Sequence, residues 1–326
     1  MIRFRKLIYT IFLLGLATLS FPAKAQYPDR PLRVVVPFPP GATNDILGRA
    51  FAQELSREFG QPVIVENRGG AGTAIGAQAV ATARPDGYTM LLGTGTTYVL
   101  NPALRPNNLS YDPVRDFTMV SIMAEVPIVF IVNPQLPVRT LADLVAYARA
   151  NPGKINFSSA GVATSLHLAG EMFARAANIQ LVHVPYPGSA QAMLAVVSGD
   201  VQMMAEVISG AMTSIQSGRV IPLAMTSAER LSIIPSVPTV AESGYAGFQA
   251  LGWYGLALPR ATPTPIVERL REATNRILAR GDMRTHFEPS GLVILRAHDA
   301  ATVERYLEED RNRWVPLIRS LNLKAE

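Results

Sequence analysis

The stretch Val34-Val35-Val36-Pro37-Phe38-Pro39-Pro40-Gly41-Ala42-Thr43-Asn44-Asp45-Ile46-Leu47 reads as a strand, a turn and a helix in direct succession. Three β-branched residues make a short buried strand, and the Pro/Gly-rich run turns the chain. The helix has Thr43 or Asn44 as its N-cap and Asp45 in its first turn. Leu47, Phe51, Leu55 and Phe59 then recur about one turn apart, and Gly60 follows as a stop. Backbone N–H groups at such a helix start have no intrahelical partner and point at whatever fills the turn. At the C-terminal edge of a sheet this unit suits an anion, although an ordinary βα unit looks the same.

Upstream, Met1-Ile2-Arg3-Phe4-Arg5-Lys6 is a basic start, Leu7 to Leu19 is almost wholly apolar, and Ala23-Lys24-Ala25 is a small-x-small site. This predicts a signal peptide over residues 1–25, a mature chain from Gln26, and export to the periplasm without a lipid-bearing cysteine. Losing Arg3, Arg5, Lys6 and Lys24 takes the formal charge from +5 to +1. Nothing remains to argue for nucleic-acid or membrane binding, and no later stretch is long enough to span a bilayer. With no cysteine in 326 residues, disulfides and thiolate metal sites are excluded and stability must come from hydrophobic cores. A mature chain of roughly 300 residues suits two domains.

Downstream, Pro62–Arg68 and Tyr88–Leu92 read as strands flanking a helix that starts near Ala74. The β-α-β-α-β rhythm predicts a parallel sheet covered on both faces. Gly69–Thr73 and Gly93–Thr97 are Gly/Thr-rich turns at two of its strand ends. Val120 to Val132 reads as extended chain interrupted by Pro127, a crossing to a second α/β unit. That unit has a helix over Leu141–Ala150 and strands at Ile155–Ser159, Val182–Tyr186, Val201–Val207 and Ile221–Thr226. Helices follow the turns at Thr164 or Ser165 and at Pro187-Gly188-Ser189. Leu251–Pro259 is the return crossing, and Thr264–Arg280 and Ala300–Leu321 are amphipathic helices expected to cover the first domain. Two lobes are thus expected, 26–125 plus 251–326 and 126–250, joined by two extended hinge crossings with a ligand between them.

A series of motifs resembles one family along essentially the whole mature chain. They include Tyr27-Pro28-Asp29-Arg30-Pro31-Leu32, Val36-Pro37-Phe38 with Pro40-Gly41 and Asp45, and Val65-Glu66-Asn67-Arg68 with Gly70-Ala71-Gly72. Pro85-Asp86-Gly87-Tyr88, Asn151-Pro152-Gly153-Lys154, His167-Leu168-Ala169-Gly170-Glu171, His183-Val184-Pro185-Tyr186 and Pro235–Glu242 continue the series. The chain resembles the solute-binding receptors of tripartite tricarboxylate transporters, the Bug family. The resemblance implies a bilobal α/β periplasmic binding protein, type II-like, that closes over a small organic acid without a cofactor. It implies delivery to a membrane pair of the TctA/TctB kind. Carried over by position, the ligand residues are Pro39, Gly41, Ala42 and Thr43, then Thr94 and Thr96. Ser158, Ser159, Thr164, Ser165, Gly188, Ser189 and Glu206 would serve from the second lobe.

The chain departs from the usual family pattern in three places. Ala42 replaces a glycine, Pro187 replaces a lysine, and Glu206 replaces a frequent aspartate. Glu206 lies in a methionine-rich run, so it is expected to be buried and to repel a carboxylate or hold an ammonium. Other readings find less in the sequence. Gly93–Thr97 lacks the ending of a nucleotide loop. His167 and Glu171 stand one turn apart but form no full metal set, and no serine has a nucleophile-elbow context for a hydrolase. Trp253 and Tyr254 suit packing in the interlobe core or stacking on an aromatic ligand. A periplasmic sensor feeding a kinase would share this architecture.

Overall fold

A computed structural model describes residues 27–41, 43–106, 108–296 and 298–321. The expected leader and Ala42 lie outside the described residues. Strand β1 (Leu32–Val36) ends at Pro37, and helix α1 (Thr43–Phe59) follows the turn. Leu47, Phe51 and Leu55 are fully buried, so the helical stripe faces the sheet. Strand β2 (Val63–Asn67), helix α2 (Ala74–Ala81) and strand β3 (Thr89–Thr94) come next, and β1 pairs with β2 and β3 in parallel. The third strand runs two residues beyond the expected end at Leu92 and passes into a π-helical turn, Thr96–Leu100, and a short helix α3 (Asn101–Leu104). Gly93 permits this close return, because a Cβ there would stand 2.6 Å from the Tyr98 ring.

The chain continues as β4 (Phe117–Val132), α4 (Leu141–Ala150), β5 (Ile155–Ser159), α5 (Ser165–Ala177), β6 (Leu181–Pro185) and α6 (Ser189–Ser198). Then come β7 (Met203–Val207), α7 (Ile208–Gln216), β8 (Ile221–Met225), β9 (Leu251–Pro259), α8 (Thr264–Ala279), α9 (Asp282–Phe287), β10 (Val293–Ile294) and α10 (Ala300–Leu321). The described strands form one continuous sheet in the order β2-β1-β3-β9-β4-β7-β5-β6, with β8 and β10 also on β4.

Strand β4 belongs to both lobes. Phe117–Pro127 pairs with β9, whereas Ile128–Val132 pairs with β7 and β8. The expected interruption at Pro127 does not break the strand. Its missing N–H falls where one ladder gives way to the other, a place that tolerates proline. Strand directions then position the site. Both β3 and β4 run antiparallel to β9, so β1, β2 and β3 point the way β4 enters the second lobe. Strand β7 runs antiparallel to β4, and β5 and β6 run with β7, so their C-terminal ends point back. The strand ends and helix starts of the two lobes therefore face one another across the seam.

Three cores hold this arrangement. Leu47, Phe51 and Leu55 of α1 pack with Val267, Leu270 and Ile277 of α8 on one face of the first sheet. Val129, Ile131 and Met204 lie under α6 and α7, against Ala192, Val196, Ile208 and Ala211. The third cluster crosses the seam, joining Tyr98 and Trp253 to Phe130, Phe157 and Phe173. The C-terminal helix contributes Val303, Leu307, Trp314 and Ile318 to it. Expected to cover the first lobe, this helix also reaches the second, where Arg175 of α5 donates from Nη1 to Ser320 Oγ at 2.5 Å and from Nη2 to Ser320 O at 3.1 Å. Its apolar stripe is long enough to lie over both lobes.

Candidate functional site

In the first loop the Asp45 carboxylate is the organising group. Its Oδ2 accepts from the Gly41 amide at 2.9 Å and from Arg49 Nε at 3.0 Å, and its Oδ1 accepts from Asn67 Nδ2 at 2.9 Å. Asn67 Nδ2 also donates to Phe38 O at 3.2 Å, so the turn, β2 and α1 are fastened together. Burial would raise the Asp45 carboxyl, but the Gly41 amide, Arg49 and Asn67 outweigh it and hold it below its ordinary value. Gly41 takes a φ of +84°, which favours glycine. Its amide is committed to Asp45, while Pro39 is exposed and Thr43 opens the helix half-buried. Two arginines near this edge are already engaged, Arg49 with Asp45 at 3.0 Å and Arg68 with Glu66 at 2.6 Å.

At the end of β3, Thr94 is buried and its Oγ1 has no hydrogen-bond partner among the described residues, while its amide donates to Thr97 Oγ1 at 3.2 Å. Thr96 is half-buried at the start of the π-helical turn. Tyr111 anchors that turn from behind by donating to Thr97 O at 2.5 Å. Trp253 packs into the core, its indole stacked on Tyr98 with centroids 5.7 Å apart and its Nε1 donating to Asp310 Oδ2 at 2.8 Å. It is not placed to stack on a ligand.

The second-lobe hydroxyls divide between the seam and the backbone. Ser158 Oγ donates to Ala192 O at 3.3 Å and so ties β5 to α6. Ser159 Oγ accepts from the Gly161 amide at 3.2 Å and bonds His183 Nε2 at 2.7 Å. Thr164 caps α5, accepting from the His167 amide at 3.3 Å and donating to Gly161 O at 2.8 Å. Ser165 is half-buried, and a Cβ on Gly252 would stand 3.7 Å from its Oγ, which puts it beside the return crossing. Gly188 precedes α6 and Ser189 opens it, both half-buried. His167 approaches Glu171 at 3.7 Å, and among the described residues no group of three or more His, Cys, Asp and Glu could hold a metal ion.

Glu206 is buried near the end of β7, opposite Val129 of β4. Its Oε1 accepts from the Val207 amide at 2.8 Å, and its Oε2 has no partner among the described residues. Burial raises this carboxyl to about 7, against smaller opposing effects of the Val207 amide and the Ser189 side chain. Among the described residues, other buried polar atoms without partners include Asn44 Nδ2, Thr94 Oγ1 and Ser209 Oγ. They lie in the first turn of α1, at the end of β3 and in the first turn of α7. All these elements end or begin at the facing edges. The sequence reading missed Asn44 and Ser209 as candidates. Their signal was position, a polar residue at a strand-to-helix junction.

Neutral hydroxyls, amides and helix starts from both lobes can satisfy an anion without burying an ion pair. The family model described as tripartite tricarboxylate transporter family receptor matches residues 47–323. BugT of Bordetella pertussis (strain Tohama I) is 32% identical over 312 residues, covering 95% of this chain and 95% of BugT. Two solved structures superpose over nearly their whole length. Rpa4515 of R. palustris with adipate has a TM-score of 0.82 at 31% identity, covering 90% of this chain and 97% of that one. MatC from Rhodopseudomonas palustris with bound malate has a TM-score of 0.79 at 32% identity, covering 90% and 100%. Among the described residues, no helix is long and apolar enough to cross a membrane. The chain belongs to the tripartite tricarboxylate transporter receptor family, the family of the Bug periplasmic binding proteins.

Proposed function

We propose that this protein captures a small organic acid, as its carboxylate, between its two lobes in the periplasm and delivers it to the membrane subunits of a tripartite transporter. The observation that carries the reading is the set of buried polar atoms at Asn44, Thr94, Glu206 and Ser209, unpartnered among the described residues and contributed by both facing edges. Buried polar groups left unpaired are costly, and a ligand that supplies their partners recovers that cost. The helix starts of α1, α5, α6 and α7 add donors of the right sign. Relatives holding adipate and malate support the ligand class. Gly41, Thr43, Thr96, Ser159, Thr164, Ser165, Gly188 and Ser189 form the surrounding cradle in this reading, with Pro39 at its rim. Capture asks for no chemistry on the ligand, so it is released unchanged.

The test is a thermal-shift screen of the mature chain, Gln26 to Glu326, against carboxylates, amino acids and neutral sugars. A ligand at about 100 times its dissociation constant adds about 2.7 kcal/mol of stability. A shift with one class of carboxylate, recovered chemically intact, is the expected result. A response confined to sugars or cations, or turnover of the ligand, overturns the reading. Delivery is tested by uptake into vesicles carrying the membrane pair, which is expected only when the loaded receptor is added.

A further inference from the structure

An acid on the floor of an anion-binding seam would repel the ligand if it were charged. The geometry around Glu206 gives it another use. The carboxyl sits between the lobes, near the end of β7, and Tyr254 of β9 approaches it from the first lobe closely enough to sense its charge. Burial, and then Glu206, raise the Tyr254 hydroxyl above its ordinary value, so this phenol stays neutral and adds no charge beside the carboxyl. Tyr254 is paired in register with Thr94, whose Oγ1 is also unpartnered, so the three groups span the seam.

The other elements packed on β7 bring no cation to Glu206. Helix α6 brings Ser189, and helix α7 brings Ser209 and Gly210, where a Cβ would stand 3.2 Å from Oε1. Strand β4 presents Val129. Helix α5 packs on β7 as well, but its His167 is turned to Phe157 and His183, its Glu171 approaches His167 at 3.7 Å, and its Arg175 donates to Ser320. Among the described residues Glu206 makes no salt bridge, and the atom left over is Oε2, the one a proton would occupy.

We propose that Glu206 meets the ligand as a neutral carboxylic acid and donates from Oε2 to a ligand carboxylate, so that the anion is captured together with a proton. The inference rests on the receptor reading above and narrows it to ligands that present a carboxylate to the floor of the seam. A bound carboxylate there strengthens the hold on the proton, because two adjacent carboxyl groups cannot both be charged cheaply. The carboxyl already titrates near neutrality before any ligand arrives, at about 7. Raising the pH above that point removes the donor and leaves two like charges facing each other.

The experiment is calorimetry of the mature chain with malate and with adipate between about pH 6 and about pH 8.5, in buffers of differing ionisation enthalpy. The expected result is net proton uptake on binding and an affinity that falls toward tenfold per pH unit above about pH 7. Glu206→Gln keeps an N–H donor at the same place, so it should bind with a pH-independent affinity and exceed the parent at the alkaline end. If that variant fails to fold, proton uptake by the parent decides alone. Carboxylate binding with no proton uptake and a flat pH profile overturns the proposal and leaves the receptor reading standing. Tighter binding of a zwitterionic amino acid, improving as the pH rises through about 7, also overturns it, because Glu206 would then serve as an anion for an ammonium. Failure of every carboxylate in the screen counts against the receptor reading itself.

Discussion

The imidazole rings of His167 and His183 stack face to face, with centroids 3.7 Å apart and 13° between their planes. Each ring holds one piece of the proposed second-lobe cradle. The Ala163 amide donates to His167 Nδ1 at 2.9 Å, so that nitrogen carries no proton, and His183 Nε2 bonds Ser159 Oγ at 2.7 Å. Two rings this close cannot both become cations without strong repulsion.

The stack predicts acid sensitivity with a definite sign. Burial, and then the neighbouring His167, lower His183 from its ordinary value to about 3. An unfolded chain protonates this histidine near 6.5, so between about 6.5 and about 3 the unfolded state binds more protons. The stabilising effect is complete above about 6.5 and is lost progressively as the pH falls toward 3. Urea midpoints measured from pH 7.5 down to about pH 4.5 should fall, and His183→Asn should flatten that slope. An unchanged slope in the variant would assign the acid sensitivity to other groups.

Asp310 makes an optical prediction. Both tryptophans of the chain donate to this one carboxylate, Trp253 at 2.8 Å and Trp314 at 2.9 Å. Burial raises Asp310 to about 6, against opposing effects of Trp253, Arg313 and Trp314. Its folded value lies above its unfolded one, so its contribution is fully present below about 3.8 and fades as the pH rises through about 6. Intrinsic fluorescence should therefore titrate with a midpoint near 6, and Asp310→Ala should abolish that inflection. The same variant leaves two buried indole N–H groups unpaired and should lose about 3 kcal/mol of stability.

The first loop predicts a difference between two partners of one ion pair. Asp45→Ala removes the acceptor of the Gly41 amide, Arg49 and Asn67 together and should cost about 2 kcal/mol in chemical denaturation. Arg49 is mostly exposed, so Arg49→Ala should cost less than about 1 kcal/mol. Equal losses would mean that the exposed ion pair, rather than the fastening of the turn, is what matters. Carboxylate affinity should also weaken more in Asp45→Ala, because the turn carries the donors proposed for the first lobe.

What the sequence disclosed and what it hid follow the range of the forces involved. The strand, turn and helix from Val34 to Phe59 were legible because burial of Leu47, Phe51 and Leu55 imposes a helical period on a local stretch. The two-lobed α/β architecture followed from the alternation of strands and helices in the same way. The span of α10 was hidden, since an amphipathic stripe says that a helix covers something but not what. At the site, Ser158 looked equivalent to Ser159. The structure turns the first to the Ala192 carbonyl and the second to His183, a distinction set by neighbours far along the chain. Glu206 was legible for the opposite reason, as an acid among Met203, Met204 and Ala205 contradicts its surroundings.

The two crossings between lobes, already neighbours in the β4–β9 ladder, are tied further by the side chain of Thr226. Thr226 donates from Oγ1 to Ile128 O at 3.1 Å and to Ala250 O at 2.5 Å, and its amide donates to Ile128 O at 2.9 Å. Ile128 follows Pro127 on β4, and Ala250 immediately precedes β9, so the hydroxyl spans the two places where the chain passes between lobes. In the proposed capture, closure would bend both crossings, and a bond shared by them would make them bend together. Thr226→Val keeps the shape and removes the hydroxyl, which should cost about 1 kcal/mol. It should also broaden the open ensemble, giving a larger radius of gyration by solution scattering without ligand. With saturating malate or adipate, whichever binds, parent and variant should contract to the same compact form, because contacts from both lobes then replace the lost tie. A variant whose free and bound profiles match the parent's would show that the Thr226 hydroxyl packs the crossings without governing their motion.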